Sequence, residues 1–154
     1  MKKIVFIVVA LALLVSCALE SEYSLPKNKR IYKELLGTWH PIDAKGDLFF
    51  KKNKDKTFSI IMIDDKKEAT VISSNAFTSK IKNHKLIIIV NSDENKTINS
   101  FYEYRISKGK FSYRAVRKVD KKFTSDKDLL HYFEENIDKD GFFEDWEDDF
   151  YFKK

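Results

Sequence analysis

Alternating apolar and polar residues dominate the chain between Gly37 and Arg117. The run Ile98–Ser107, for example, places Tyr102, Tyr104 and Ile106 at every second position, which is the period of a half-buried strand. Turn-forming Asn, Asp, Ser and Gly residues separate such runs. The run at 85–90 is apolar on both faces. The pattern predicts eight strands, at residues 37–42, 47–51, 57–63, 67–73, 76–82, 85–90, 98–107 and 110–117.

These strands are too closely spaced for parallel pairing, because no segment between them is long enough for a helical crossover. Short strands joined by tight turns favour an antiparallel sheet that curls or closes, which also protects its edges. We therefore predict a mainly β fold: an antiparallel up-and-down meander of about eight strands forming a barrel or a strongly curled sheet, followed by a C-terminal α-helix.

The helix is predicted at residues 126–137. Ser125 and Asp128 have the spacing of a capping box. After them, apolar residues recur on one helical stripe. They are Leu129, Leu130, Phe133 and Ile137. We expect this stripe to pack on the sheet, and the alternative is a helix that binds a partner.

The first seventeen residues have the pattern of an export signal. Lys2 and Lys3 precede an apolar run from Ile4 to Val15, which as a helix would span about 18 Å, too short to cross a bilayer of about 30 Å. The sequence that ends this run resembles a bacterial lipobox. Its residues are Leu14, Val15, Ser16 and Cys17. The resemblance implies that Cys17, the only cysteine, becomes a lipidated N-terminus carrying several acyl chains, since one chain alone anchors weakly. The alternative is an ordinary secretory signal with a chance cysteine.

This interpretation divides the chain into four parts. Residues 1–17 are the lipoprotein signal peptide, 18–29 a polar tether interrupted by Pro26, 30–119 the β domain, and 120–154 an acidic helix and tail packed on that domain. We expect the protein to be lipid-anchored at the cell membrane or the outer membrane, facing the periplasm or the cell exterior. The membrane is an expected partner, and the lipid on Cys17 would attach the protein to it.

Three short motifs resemble those of lipocalins and fatty-acid-binding proteins. They are Gly37-Thr38-Trp39, the hairpin at 49–58, in which Lys56 stands where the family usually has glycine, and the hairpin at 104–111. The resemblance implies a barrel in which Trp39 closes one end and a late-strand arginine, Arg114 or Arg117, packs across the indole. Gly37, Trp39 and that arginine would then be structural residues.

The tail contains a segment that resembles an EF-hand loop, starting at Asn136. The resemblance implies a Ca²⁺ site with oxygen ligands at alternating positions and a turn at Gly141. The implied ligands are Asn136, Asp138, Asp140, the Phe142 carbonyl, Glu144 and Glu147. The alternative is an acidic tail that docks on the basic sheet without a metal. Apart from this loop, we expect no cofactor.

Charge is divided unevenly along the chain. The total is +5, but residues 18–119 carry a net +9 and residues 120–154 a net −6. A basic body would suit a nucleic acid, but an anchored envelope protein does not routinely meet one, so we predict no nucleic-acid partner. Anionic lipid headgroups are a second partner for such a surface.

Catalytic motifs are absent from the sequence. His40, His84 and His131 lie in separate contexts, no cysteine nucleophile remains after lipidation, and there is no Gly-x-Ser-x-Gly or phosphate loop. We therefore predict a non-enzymatic lipoprotein that binds a small apolar or amphipathic ligand in its barrel. The alternative is a surface or structural envelope module with a filled core that binds an envelope protein. A connected apolar cavity of about 300 Å³ or more would favour the ligand.

Overall fold

Residues 18–28, 32–42, 45–146 and 151–153 are described by a computed structural model, with the backbone alone given at 151 and 152. This part of the chain forms nine strands and one helix. They are β1 (Glu20–Ser21), β2 (Gly37–Pro41), β3 (Asp47–Lys52), β4 (Phe58–Ile63), β5 (Ala69–Ile81), β6 (His84–Ser92), β7 (Thr97–Ser107), β8 (Lys110–Ala115), α1 (Asp126–Asn136) and β9 (Tyr151–Lys153).

The strands from β2 to β8 follow the order of the chain, each pairing antiparallel with the next. The sheet curls so far that β9 pairs with β2 on one side and with β8 on the other. This confirms the predicted class: a mainly β antiparallel meander in a strongly curled sheet, with a C-terminal helix. The short strands β1 and β9 lie outside the predicted set.

The predicted strands at 67–73 and 76–82 are one continuous strand, β5. The polar residues Ser73, Ser74 and Asn75 indicated a turn. In the structure they lie where the β4–β5 register shifts between Phe58 and Ile61, which is a bulge and not a chain reversal. Asn53 donates a hydrogen bond to the Ser74 carbonyl at 2.7 Å, which holds the bulge against the neighbouring hairpin.

The middle strands of the sheet carry apolar side chains on both faces, as the run at 85–90 indicated. Inside the curl lies the inner core. Its fully buried members are Leu35, Trp39, Phe50, Phe58, Ile60, Ala76, Ile87, Tyr104 and Phe111. The opposite face of β5, β6 and β7 lies in the outer core. Its buried members are Leu19, Leu25, Phe77, Ile81, Leu86, Ile88, Phe101, Val116, Leu129, Phe133, Ile137, Phe142 and Phe143.

Helix α1 covers the outer core. Ser125 caps its N-terminus by accepting a hydrogen bond from the Asp128 amide at 3.0 Å, as the capping-box spacing predicted. Leu129, Phe133 and Ile137 are buried against the sheet, and the rings of Phe133 and Phe101 lie 5.3 Å apart. The predicted packing stripe therefore faces the sheet.

Residues 18–28 are not a free tether, and this part of the domain prediction is wrong. Ala18 and Leu19 are only 1% and 2% exposed, and the Leu19 amide donates to the Val116 carbonyl at 2.7 Å. Strand β1 pairs with β7, and Leu25 is buried in the outer core. The segment was predicted to be a tether because most of its residues are polar, but its few apolar residues bury enough surface to hold it on the sheet.

Candidate functional site

The inside of the curled sheet is filled by aromatic side chains. The Trp39 and Phe111 rings lie 5.5 Å apart, and Phe50 contacts both Phe58 and Phe111 at 5.7 and 5.6 Å. The Trp39 indole donates a hydrogen bond to the Leu35 carbonyl at 2.8 Å. This bond holds the segment before β2 against the inner core. The residues that would have to line a ligand cavity therefore pack on one another.

The cation over Trp39 is Lys153 of β9, whose Nζ lies 5.5 Å from the ring. The expectation that Arg114 or Arg117 packs there is wrong, and strand alternation explains why. Phe111 and Tyr113 of β8 point into the inner core, so Arg114 points to the other face. Arg117 follows β8 and pairs with Glu144 at 3.1 Å.

On the outer face, Arg114 packs against the C-terminal tail. Its guanidinium lies 4.3 Å from the Phe143 ring and 4.5 Å from the Trp146 ring. Arg105 lies 4.1 Å over the same Trp146 ring. Two arginines of the sheet thus hold one indole of the tail, an arrangement in which each cation–π contact contributes about 0.5–2 kcal/mol.

A polar cluster joins β6, β7, β8 and the loop after α1. His84 Nδ1 contacts Glu103 Oε1 at 2.6 Å, and His84 Nε2 contacts Asp138 Oδ1 at 3.0 Å. Arg114 Nε donates to the other Glu103 oxygen at 2.5 Å, and Lys82 Nζ to Asp138 at 2.5 Å. Glu103 is almost fully buried. Its contacts with His84 and Arg114 offset the free-energy cost of burying a carboxylate.

A surface cleft of about 310 Å³ opens beside this cluster. It is lined by His84, Arg114 and residues of the loop 137–145. From the sequence, His84 was judged to be an isolated histidine, and Glu103 was not singled out; the structure brings the two together. Alternation placed Glu103 on the outer face of β7, and nothing local to β7 indicated that the tail would cover that face and bury the carboxylate.

The oxygens of the EF-hand-like loop face protein partners. Asp138 binds Lys82 and His84, the Asn136 amide oxygen accepts from Lys139 at 2.8 Å, and the Phe142 carbonyl accepts from the Arg117 amide at 2.8 Å. Gly141 has a φ of 79°, so the predicted turn is present. The side chain of Glu144 pairs with Arg117. These contacts are those of a tail docked on the basic sheet.

A calcium ion in this loop would have to displace those partners. Across the described ranges, no three His, Cys, Asp or Glu side chains are grouped to hold a metal ion. Asp140 lines the cleft, and Glu147, the implied bidentate ligand, lies outside the described residues. The described ligands are thus engaged by protein groups in this arrangement, and the calcium site stays a prediction.

Asp138 links the tail to the sheet in a pH-dependent way. Hydrogen bonds from Lys82 and His84 lower the pKa of its carboxyl below the ordinary value. A depressed pKa stabilises the fold above the unfolded-state pKa, and the contribution is lost as the pH falls through the folded-state pKa. We expect Asp138→Asn to reduce the loss of unfolding free energy between about pH 5 and about pH 2. Urea unfolding at several pH values measures this, with Asp140→Asn, at an exposed position of the same loop, as control. An equal change in both variants would contradict it.

A second cleft, of about 350 Å³, lies where β5 and β6 separate. Their pairing runs from Phe77 and Ile88 to Ile81 and His84, and beyond it Ser73 Oγ bridges to the Val90 carbonyl at 2.8 Å. Val71 lies in this cleft with 59% of its surface exposed. It is an open, partly apolar surface, in contrast to the filled interior.

Comparison with protein-family models, with curated proteins and with solved structures found no match. Among the helices of the described residues, none has the length and apolar character needed to cross a membrane. The lipobox residues Leu14, Val15, Ser16 and Cys17 lie outside the described residues.

Proposed function

We propose that the protein is a lipid-anchored, non-enzymatic envelope lipoprotein whose domain is an interaction module at the membrane surface. The filled inner core is the observation that carries this proposal. Trp39, Phe50 and Phe111 are almost fully buried, and the Phe111 ring contacts the other two, so the interior supports packing and not the carriage of a small molecule. The binding surfaces of such a module are on its outside.

The anchor is tested at Cys17. We expect Cys17→Ser to abolish acylation and to release the protein from the membrane fraction, because the sulfur is the acylated atom in the lipobox pathway. Ser16→Ala keeps a small residue before the cysteine and is the matched control, which should remain anchored. Labelling with a radioactive fatty acid and fractionation measure both. Unchanged fatty-acid labelling of Cys17→Ser would contradict the lipoprotein assignment.

One observation favours the second candidate, an amphipathic ligand bound in the curl. The Tyr104 hydroxyl is buried and has no hydrogen-bond partner among the described residues, and burial raises the pKa of this phenol. A small molecule with an acceptor atom would satisfy it. Native mass spectrometry of the protein purified from membranes distinguishes the two candidates: a retained small molecule supports the carrier, and the mass of the acylated polypeptide alone supports the interaction module.

A further inference from the structure

Three hairpins gather lysines at one end of the curled sheet. In an antiparallel meander alternate turns fall at the same end, which places the β3–β4, β5–β6 and β7–β8 turns together. We call their residues, 51–57, 80–85 and 107–110, the basic rim. They comprise nine lysines and one acidic residue, Asp55. This concentration is not apparent from a net charge of +5 for the whole chain.

Most of these lysines are free to bind something else. Three have partners: Lys82 pairs with Asp138, Lys85 pairs with Glu34 at 3.1 Å, and Lys110 is also engaged. Six others are exposed and take part in no ion pair within the described part of the chain. They are Lys51, Lys52, Lys54, Lys56, Lys80 and Lys108.

The opposite end of the sheet has a different charge. The described residues of its turns, 45–47, 64–68 and 92–97, carry four lysines and six acidic residues. A six-residue strand such as β4 separates the two ends by about 20 Å, more than the Debye length of about 8 Å at physiological salt. The basic rim therefore presents its positive charge to a partner without cancellation from the far end.

The position of the N-terminal segment indicates which partner the basic rim would meet. Ala18 is buried and Leu19 is hydrogen-bonded to the sheet, so no free residue separates Cys17 from the folded domain. An acylated Cys17 would hold the domain directly against the bilayer, and this step rests on the proposed function. Because β1 pairs antiparallel with β7, Leu19 and Ala18 run along β7 toward Ser107, at the end of the sheet that carries the basic rim. A bilayer that holds the acylated Cys17 would then lie on the side of the lysine side chains.

We propose that the basic rim binds the headgroups of anionic phospholipids in the membrane that carries the anchor. Long lysine side chains reach a planar layer of phosphates without a fixed geometry, and each adds to the affinity. The residues of the basic rim include no Phe, Tyr or Trp, so the rim lacks the stacking surface that single-stranded nucleic acids use. A lipid surface is the partner that this chemistry fits.

The test uses the chain from residue 18 onward, which includes every residue of both cores and has no lipid of its own. It is sedimented with vesicles of phosphatidylcholine containing about 30% phosphatidylglycerol, and with vesicles of phosphatidylcholine alone. We expect binding to the anionic vesicles only, weakening as the salt is raised from about 0.05 to about 0.5 M. Equal binding to both vesicle types, or to neither, would overturn the proposal.

Two triple variants with the same net charge locate the binding surface. Lys52→Gln, Lys54→Gln and Lys56→Gln together should weaken vesicle binding about 100-fold, at about five-fold per lysine. Lys45→Gln, Lys66→Gln and Lys67→Gln at the opposite end are the control, expected to change it less than about 10-fold. Lys56 and Lys67 both have positive φ, so the two sets are matched in backbone strain. Circular dichroism checks that both fold.

The results separate this proposal from the lipid anchor. Equal loss in the two triple variants would show diffuse attraction and overturn the basic rim as the site. Tighter binding to a single-stranded oligonucleotide than to anionic vesicles at the same salt would overturn the lipid assignment. Loss of the fatty-acid label in Cys17→Ser tests the anchor independently, because acylation does not depend on the basic rim and vesicle binding is measured on a chain that lacks Cys17.

Discussion

Phe111→Ala should lower the free energy of unfolding by about 4 kcal/mol, the range found when a buried phenylalanine is truncated. Phe111 is 2% exposed and contacts the rings of Trp39, Phe50 and Tyr104. Its removal takes the central ring from the inner core and leaves a cavity that the curled sheet cannot close without moving β8. Urea or thermal unfolding measures the effect.

The conservative variant Phe111→Leu is the control for this prediction, since it keeps most of the buried volume and should cost less than about 2 kcal/mol. The truncated variant also tests the filled-core argument. If the interior normally held a small molecule, Phe111→Ala would change which small molecule, or how much of it, co-purifies with the protein in a mass measurement. A stability loss below about 1 kcal/mol would contradict the packing described for the inner core.

Glu103→Ala should destabilise the fold by about 3 kcal/mol, because removing this buried carboxylate leaves the Arg114 guanidinium without its ion-pair partner. Glu103 is the carboxylate that both His84 and Arg114 contact, and its side chain is 9% exposed. Without it, the Arg114 guanidinium would remain between β7 and the aromatic residues of the tail with no counter-charge there. We therefore expect the tail to become accessible to protease.

Glu103→Gln keeps the shape and one acceptor, and should recover part of the stability. Glu94→Ala, in the exposed β6–β7 turn, removes the same charge without breaking a buried contact and should change stability by less than about 0.5 kcal/mol. Limited proteolysis with mass mapping follows the tail. Identical protection of the tail in Glu103→Ala and the parent chain would contradict a role for Glu103 in holding it.

Features set by neighbouring residues could be predicted from the sequence. The strand meander follows from period-two alternation, and α1 follows from Ser125 and the stripe that ends at Ile137. The inner core could be anticipated from bulky residues at alternating positions, among them Trp39. Each of these signals lies within about ten residues of the feature it predicts, so tertiary structure had little opportunity to override it.

Features set by distant residues could not be predicted. Lys153 reaches Trp39 from more than one hundred positions away, and Asp138 reaches His84 across 54. The burial of Glu103 depends on a tail whose packing has no periodic signal. The basic rim was also missed, although its lysines are visible in the sequence, because their common location depends on which turns share an end of the sheet.

The packing of residues 115–117 has a consequence for the order in which the chain can fold. On one side the Leu19 amide bonds to Val116, and on the other the Arg117 amide bonds to the Phe142 carbonyl. The first and the last parts of the domain therefore meet on the same segment, across sequence separations of about one hundred and about twenty-five residues. Contacts of such long range form late. The domain cannot complete its outer core until Phe142 has been synthesised, so a growing chain reaches its full stability only after that residue has left the ribosome.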